Sequence, residues 1–155
     1  AKRRDLDLGF GIKSDCSPLN GLIIPVLRNT EAIKFMRDPT RGGVATTLNE
    51  IAEASGKAIF IEEEKIPLSG KARAACELLG IDPLYVANEG KAVIVVKGGS
   101  EKKVLSLLRK HPLGRRAEVI GYVADKPRAK VILKTAIGPE RFVDMLTADP
   151  LPRIC

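Results

Sequence analysis

The order of strand-like and helix-like patterns constrains the fold of this chain more than any other feature. Stretches with apolar residues at helical spacing alternate with short, strand-like stretches along most of the sequence. The last two strand patterns, residues 117–123 and 130–135, follow each other across the turn Asp125-Lys126-Pro127, which predicts a hairpin. A purely parallel, doubly wound sheet contains no hairpin, so we expect an α+β fold, a mixed β-sheet with flanking helices.

The other elements are predicted from their start and stop signals. Ser17 and Pro18 are typical of a helix start, and apolar residues continue at helical spacing to Val26 despite Pro25. Further helices are expected over 44–55, over 69–79 and from Ser100, and Gly56 and Gly80 are expected to end the first two. Further strands are expected over 58–62 and 91–97, and the second of these is a β-branched run typical of a buried strand.

Length and composition indicate one domain with a hydrophobic core, because the chain has 155 residues of which 45% are hydrophobic. No apolar run reaches the roughly 18 residues of a membrane span. The polar start, Ala1-Lys2-Arg3-Arg4, is no secretory signal and, without Met, is typical of a piece of a longer protein. We expect a cytoplasmic protein with a linker or edge segment at 1–16, a domain at 17–146 and an extended tail at 147–155.

Charge and cysteine content narrow the classes of partner and site. The net charge of +7 permits attraction to phosphates or nucleic acid, but acidic residues interleave with the basic ones and only 4% of residues are aromatic. Nucleic-acid binding is therefore not expected. Cys16, Cys76 and Cys155 are too few and too far apart for a disulfide framework or a zinc site, so no metal is expected. The first two are interpreted as small residues in or near packed elements.

The segment Asp38-Pro39-Thr40-Arg41-Gly42-Gly43 is the strongest internal motif. Its proline and two glycines predict a turn that delivers the chain to the N-terminus of the helix over 44–55. There the glycines let backbone N–H groups approach an anion, and Arg41 adds a bidentate donor for phosphate or carboxylate. A purely structural turn, in which Asp38 and Thr40 satisfy local backbone groups, is equally compatible with these residues.

A second motif, Asn88-Glu89-Gly90-Lys91, precedes the predicted strand over 91–97. It places a carboxylate and an amide at the rim of a sheet, where Glu89 can act as a general acid or base. A loop with an exposed glutamate is the alternative, and the turn preferences of Asn and Gly favour it when nothing else is known. His111, the only histidine, falls at a helix end and is expected to interact with the last carbonyls of that helix.

The chain ends in Leu151-Pro152-Arg153-Ile154-Cys155, which cannot continue a helix and favours extended conformations. Such a tail presents its terminal thiol, and five extended residues reach about 15 Å into a neighbouring cleft. The terminal carboxylate raises the pKa of this thiol and Arg153 opposes that effect, so the sequence leaves the fraction of thiolate open.

Taken together, these motifs resemble HypE, a family of hydrogenase maturation proteins within the aminoimidazole-ribonucleotide synthetase (PurM) superfamily. The terminal Pro-Arg-Ile-Cys, the turn at 38–43 and the motif at 88–91 all match that family. So do Lys13-Ser14-Asp15-Cys16-Ser17-Pro18-Leu19 and His111-Pro112-Leu113-Gly114, which extends the resemblance over nearly the whole chain. The expected fold is therefore that of the PurM C-terminal domain.

The resemblance implies a function in making cyanide for [NiFe] hydrogenase. Cys155 would accept a carbamoyl group from a HypF-like carbamoyltransferase, ATP would convert the product to a thiocyanate, and the cyanide would pass to iron on a HypC-HypD complex. In this hypothesis Cys155 and Glu89 are catalytic, and Pro152 and Arg153 present the thiol. The phosphate or substrate site comprises Asp38, Thr40, Arg41, Gly42, Gly43 and Asn88.

This chain lacks the N-terminal domain that, in HypE, supplies most ATP and Mg²⁺ contacts and the homodimer core. We therefore expect the isolated chain to bind ATP weakly or not at all and to show no turnover. Two alternatives remain: another ATP-dependent enzyme of the same superfamily, such as a purine-pathway or thiamine-phosphate kinase type, or a non-catalytic module that docks maturation partners. A carbamoyl adduct on Cys155 would exclude the first, and pull-down with and without residues 151–155 would separate the second.

Overall fold

A computed structural model of the chain describes residues 14–146. Within that range four α-helices and six β-strands follow one another, the last three elements all being strands, with single turns of 3-10 helix at Glu63–Lys65, Pro83–Tyr85 and Pro112–Gly114. The elements are, in order, α1 (Asn20–Asn29), β1 (Ile33–Arg37), α2 (Gly43–Ser55), β2 (Ala58–Glu62), α3 (Gly70–Leu79), β3 (Val93–Val96), α4 (Glu101–Arg109), β4 (Gly121–Ala124), β5 (Lys130–Lys134) and β6 (Glu140–Phe142).

The larger sheet has the strand order β4-β2-β5-β6. β2 runs antiparallel to β4 and parallel to β5, and β6 runs antiparallel to β5, so the predicted mixed-sheet α+β class is confirmed. The predicted hairpin is wrong, because β4 and β5 lie on either side of β2 and do not pair with each other. The turn at Asp125-Lys126-Pro127 carries the chain past one end of β2.

The central position of β2 follows from its composition. Ala58, Ile59 and Ile61 are buried, and a strand this apolar is stabilised when it has a paired neighbour on each side and a helix against its face. α2 covers that face, where Ala45, Leu48 and the alternate residues of β2 and β5 form the main core. The buried members of this core are Ala45, Leu48, Ala52, Ile59, Ile61, Leu84, Val131, Leu133 and Val143.

A second, two-stranded sheet pairs β1 with β3 in antiparallel register. β1 was not predicted, since Ile33–Arg37 is short and carries two basic residues. The predicted strand over 91–97 is confirmed as β3, but every residue of Val93–Val96 is half-buried. The expected burial of this strand is wrong, because a sheet of only two strands offers less cover. Helices α1 and α4 pack against Ile94 and Val96, and the buried helix residues at this contact are Leu22, Val26, Val104 and Leu108.

The helices over 44–55 and 69–79 agree closely with prediction. Gly56 and Gly80 adopt left-handed conformations at their C-caps, and the Ser69 hydroxyl accepts a hydrogen bond from the backbone N–H of Ala72. α1 differs, because it begins at Asn20 with Leu19 at the N-cap, so Ser17 and Pro18 do not start it. No helix within residues 14–146 is both long enough and apolar enough to cross a membrane.

Candidate functional site

The predicted turn at 38–43 lies between the end of β1 and the start of α2. Pro39 is fully buried, the backbone N–H of Gly43 donates to the carbonyl of Thr40 at 3.2 Å, and that of Thr46 donates to the carbonyl of Gly42 at 3.2 Å. Gly42 and Gly43 have φ values of 72° and 63°, which residues with a side chain rarely adopt. The turn therefore places two buried glycines at the positive end of the dipole of α2, with the exposed Arg41 directly before them.

Gly43 also meets a second segment of backbone at close range. A Cβ atom at this position would lie 2.4 Å from the carbonyl oxygen of Leu84 and 2.6 Å from that of Val86. Both contacts are far shorter than a carbon atom tolerates, so only glycine fits. The first residue of α2 is thereby packed against the segment that leads into the second motif, Asn88-Glu89-Gly90-Lys91.

A hydrogen bond joins the two motifs directly. The backbone N–H of Asn88 donates to the carbonyl oxygen of Pro39 at 2.9 Å, while the side-chain amide of Asn88 donates to the carbonyl of Val86 at 2.7 Å. Asn88 therefore fixes the second motif on the first. The structure brings together two segments that the sequence keeps far apart.

The N-terminal motif that contains Asp15 joins the same cluster. Lys91 Nζ lies 2.7 Å from Asp15 Oδ2, and a Cβ at Gly90 would lie only 1.7 Å from the carbonyl oxygen of Asp15. Burial alone would raise the pKa of Asp15, but the hydrogen bond and charge of Lys91, with backbone N–H groups including that of Glu89, outweigh it and lower the pKa. Residues 14–16 thus pack against the site.

The charged side chains proposed for chemistry point into solvent at this cluster. Asp38, Arg41 and Glu89 are exposed, whereas Thr40 and Asn88 are half-buried. An exposed guanidinium beside glycine N–H groups at a helix start has the chemistry of an anion site, and an exposed carboxylate nearby is available for proton transfer. Within residues 14–146 none of the three exposed groups is tied up in an ion pair.

One polar group at the turn was missed by sequence reasoning. The hydroxyl of Thr46 is buried and has no hydrogen-bond partner among the residues that the structure describes. It lies beneath the turn, 2.1 Å from where a Cβ would stand at Gly42. A threonine on the first turn of an amphipathic helix carries no signal in the sequence, so only the fold reveals this group.

His111 differs from its predicted role. Its Nδ1 accepts a hydrogen bond from the backbone N–H of Leu113 at 3.2 Å, so its side chain caps the following 3-10 turn, and only its backbone N–H contacts a last carbonyl of α4, that of Leu108 at 3.1 Å. Cys76 is half-buried on α3 and Cys16 is exposed. Burial, together with the charges of Asp82 and Glu77, raises the pKa of the Cys76 thiol, which makes it a weak nucleophile.

The predicted tail residues, Pro152, Arg153 and Cys155, lie outside the described residues, so their place relative to the cluster stays a prediction. Residues 14–146 contain no group of three or more His, Cys, Asp or Glu side chains arranged to hold a metal ion. We assign Mg²⁺ no ligand among the described residues.

Residues 3–134 match the model of the family described as AIR synthase related protein, C-terminal domain. The chain belongs to this family, and the predicted PurM-type fold is confirmed. Its resemblance to HypE is also confirmed: the chain is 45% identical, over all of its length, to the carbamoyl dehydratase HypE of Cupriavidus necator, covering 44% of that protein.

Solved structures show the same relationship. A crystal structure of the hydrogenase maturation protein HypE superposes with a TM-score of 0.92 and 38% identity, covering 99% of this chain and 50% of that one. The structure of HypE in complex with ATP superposes with a TM-score of 0.89 and 36% identity, covering 96% of this chain and 46% of that one. The structure of a HypE-HypF complex superposes with a TM-score of 0.87 and 46% identity, covering 94% of this chain and 47% of that one. The chain thus spans about half the length of the proteins it matches.

Proposed function

We propose that this chain forms the C-terminal half of a HypE-like carbamoyl dehydratase, in which Cys155 carries the reacting group. The observation that supports this most strongly is the convergence of three motifs. The carbonyl oxygen of Pro39 in the turn at 38–43 lies 2.9 Å from the backbone nitrogen of Asn88, and Lys91 Nζ lies 2.7 Å from Asp15 Oδ2. Separate stretches of sequence thereby form one surface with donors for phosphate and a free carboxylate.

The chemistry requires both kinds of group. The thiol first becomes a thiocarboxamide, whose carbonyl oxygen attacks the γ-phosphorus of ATP while ADP leaves. Loss of the N–H protons and cleavage of the C–O bond then release phosphate and leave a thiocyanate. Thiocarboxamide and ATP give thiocyanate, ADP, phosphate and a proton, so the oxygen of the carbamoyl group leaves in the phosphate.

Each step assigns a task to a residue of the cluster. Arg41, assisted by the backbone N–H of Gly42 at the start of α2, stabilises the negative charge on the transferred phosphoryl group, while Gly43, whose N–H donates to the Thr40 carbonyl, shapes the turn. Glu89 removes an N–H proton from the phosphorylated amide. Thr40 and Asn88 hold the turn through their backbone hydrogen bonds, and Asp38 completes the wall of the phosphate or substrate site.

The partners follow from the same proposal. A HypF-like carbamoyltransferase supplies the carbamoyl group, in keeping with the solved HypE-HypF complex, and a HypC-HypD complex receives the cyanide. ATP, which a solved HypE binds, is held mainly by the other half of the protein, as are Mg²⁺ and the homodimer contacts. The 155-residue chain alone then binds ATP weakly, and calorimetry that detected micromolar affinity would contradict this division.

Mass spectrometry of the complete gene product tests the acceptor role of Cys155. After incubation with the carbamoyl donor system, we expect the modification, as a carbamoyl or a cyano group, on the peptide that contains Cys155. Cys76→Ala, which removes the half-buried thiol on α3, should be modified normally, and Cys155→Ser should not be modified. An adduct on Cys16 or Cys76 with Cys155 unmodified would overturn the proposal.

A further inference from the structure

The last described segment of the chain, residues 143–146, is fastened to the elements that build the candidate site. Val143 is 2% exposed, and its backbone N–H donates to the carbonyl of Val131 at 2.9 Å. Its carbonyl accepts a hydrogen bond from the side-chain amide of Asn49 at 2.8 Å. Both backbone groups of Val143 are therefore satisfied in the core, just before the tail begins.

Asn49 is suited to holding Val143 because its side chain is buried and both N–H groups of its amide have carbonyl acceptors. It is 8% exposed, and its amide also donates to the carbonyl of Ala45 at 2.9 Å. A buried amide without partners would cost free energy, so the two bonds fix its orientation. Asn49 lies six residues from Gly43 on α2, which is about 9 Å along the helix axis.

Tyr85 makes the second attachment. Its hydroxyl donates to the carbonyl of Asp144 at 2.9 Å. The carbonyl carbon of Tyr85 itself lies 2.9 Å from where a Cβ would stand on Gly43, so the tyrosine bridges the start of the tail and the turn. Burial raises the pKa of Tyr85 and the Asp82 charge adds to this, so the hydroxyl keeps its proton for the bond to Asp144.

We propose that Asn49 and Tyr85 are positioning residues that hold the base of the C-terminal tail beside the phosphate-binding turn. This inference rests on the proposed function of Cys155. Cys155 lies eleven residues beyond Asp144, a span of at most about 36–40 Å, so a base fixed on Asn49 and Tyr85 keeps the thiol within reach of Arg41 and Glu89. Anchoring the base raises the effective concentration of the thiol at the site.

Tyr85→Phe tests the inference, since it removes one hydrogen bond and leaves the ring that packs on the core. The matched control is Tyr122→Phe, which removes the same atom from a ring 60% exposed on β4. In the complete gene product carrying a carbamoylated Cys155, Tyr85→Phe should lower the single-turnover rate constant for dehydration at saturating ATP about fivefold, and leave the ATP concentration that gives half of this rate and the Tm unchanged. Tyr122→Phe should leave all three unchanged.

Amide hydrogen exchange at residues 143–146 gives an independent readout. Exchange there should accelerate in Tyr85→Phe and stay unchanged in Tyr122→Phe. Asn49→Leu, which keeps the branched shape of the side chain and removes both donors, should lower the single-turnover rate constant further, and Tyr85→Phe decides the matter if Asn49→Leu does not fold.

The outcomes separate the two proposals. If the wild-type protein does not convert its carbamoylated thiol, the proposed function is wrong and the positioning role falls with it. If the wild-type protein reacts, and Tyr85→Phe reacts at the same rate with unchanged exchange, the positioning role alone is overturned.

Discussion

The backbone N–H of Asn88 donates to the carbonyl oxygen of Pro39 at 2.9 Å, which fixes the Asn88-Glu89-Gly90-Lys91 motif on the turn at 38–43. Neither motif alone distinguishes a ligand site from an ordinary turn. The contact between the two motifs favours a ligand site, because it places the exposed side chains of Arg41 and Glu89 on segments that touch at the start of α2.

Gly43→Ala should destabilise the protein. The new methyl group would collide with the carbonyl oxygens of Leu84 and Val86, and φ at this residue is 63°. We expect a loss of about 1 to 3 kcal/mol in the free energy of unfolding, measured by denaturant titration. Gly70→Ala is the control, because nothing lies within 4 Å of its Cβ position, and equal stability losses in both variants would contradict the close packing.

Arg41→Ala should slow dehydration without affecting the fold. The side chain is exposed, so we expect the free energy of unfolding to change by less than about 0.5 kcal/mol. Loss of a charged donor to the transferred phosphoryl group should lower the rate about tenfold to a hundredfold. Arg115→Ala removes an equally exposed guanidinium beyond the site, at the end of Pro112–Gly114, and should react at the wild-type rate.

Glu89→Gln should lower the dehydration rate about a hundredfold, because an amide cannot accept the proton that the reaction releases. The change keeps the size of the side chain, so the melting temperature should stay the same. Glu64→Gln, an exposed glutamate in the 3-10 turn at Glu63–Lys65, serves as the matched control. Unimpaired dehydration in Glu89→Gln would remove Glu89 from the mechanism.

The ion pair of Asp15 and Lys91 should make stability depend on pH in the acidic range. The pKa of Asp15 is lowered from its ordinary value of 3.8, so its contribution is fully present above that value and is lost as the pH falls through the lower pKa of the folded state. The contribution of this ion pair to stability is small, because both side chains are partly exposed, that of Asp15 at 38% and that of Lys91 at 46%. The denaturation midpoint of Asp15→Asn should fall below wild type at pH 6 and approach it near pH 2.

Lys91→Gln provides the check on that prediction, since it leaves Asp15 in place and removes its cation. The acidic pH dependence that separates wild type from Asp15→Asn should then shrink. If it persists undiminished in Lys91→Gln, another group lowers the pKa of Asp15.

Local signals in the sequence were sufficient for much of the fold. α2 and α3 were predicted because glycine at a C-cap and apolar residues at helical spacing act within a few residues. β2 was predicted from the strand-like alternation of residues 58–62, which is also a local signal. The error over β4 and β5 arose because a short connection does not reveal whether a third strand lies between two others. β6 was missed because its three residues, Glu140–Phe142, are all exposed.

The candidate site likewise has parts that local sequence signals predict and parts that only the tertiary fold reveals. The turn and Glu89 could be predicted from residue types, whereas the contacts of Asn88 with Pro39, of Asp15 with Lys91 and of Asn49 with Val143 depend on tertiary folding. The chemical role of Cys155 came from the resemblance to HypE, because exposure and reach alone do not tell a reactive terminal thiol from an incidental one.

The most direct measurement of the central claim is single-turnover dehydration on the tail thiol. In a Cys16→Ser, Cys76→Ala background of the complete gene product, cyanate carbamoylates Cys155 without any partner protein, and ATP is then added. We predict that the peptide containing Cys155 loses one water while one phosphate is released per modified thiol. Phosphate release without that loss of water, or an unchanged carbamoyl group after ATP addition, would contradict the account.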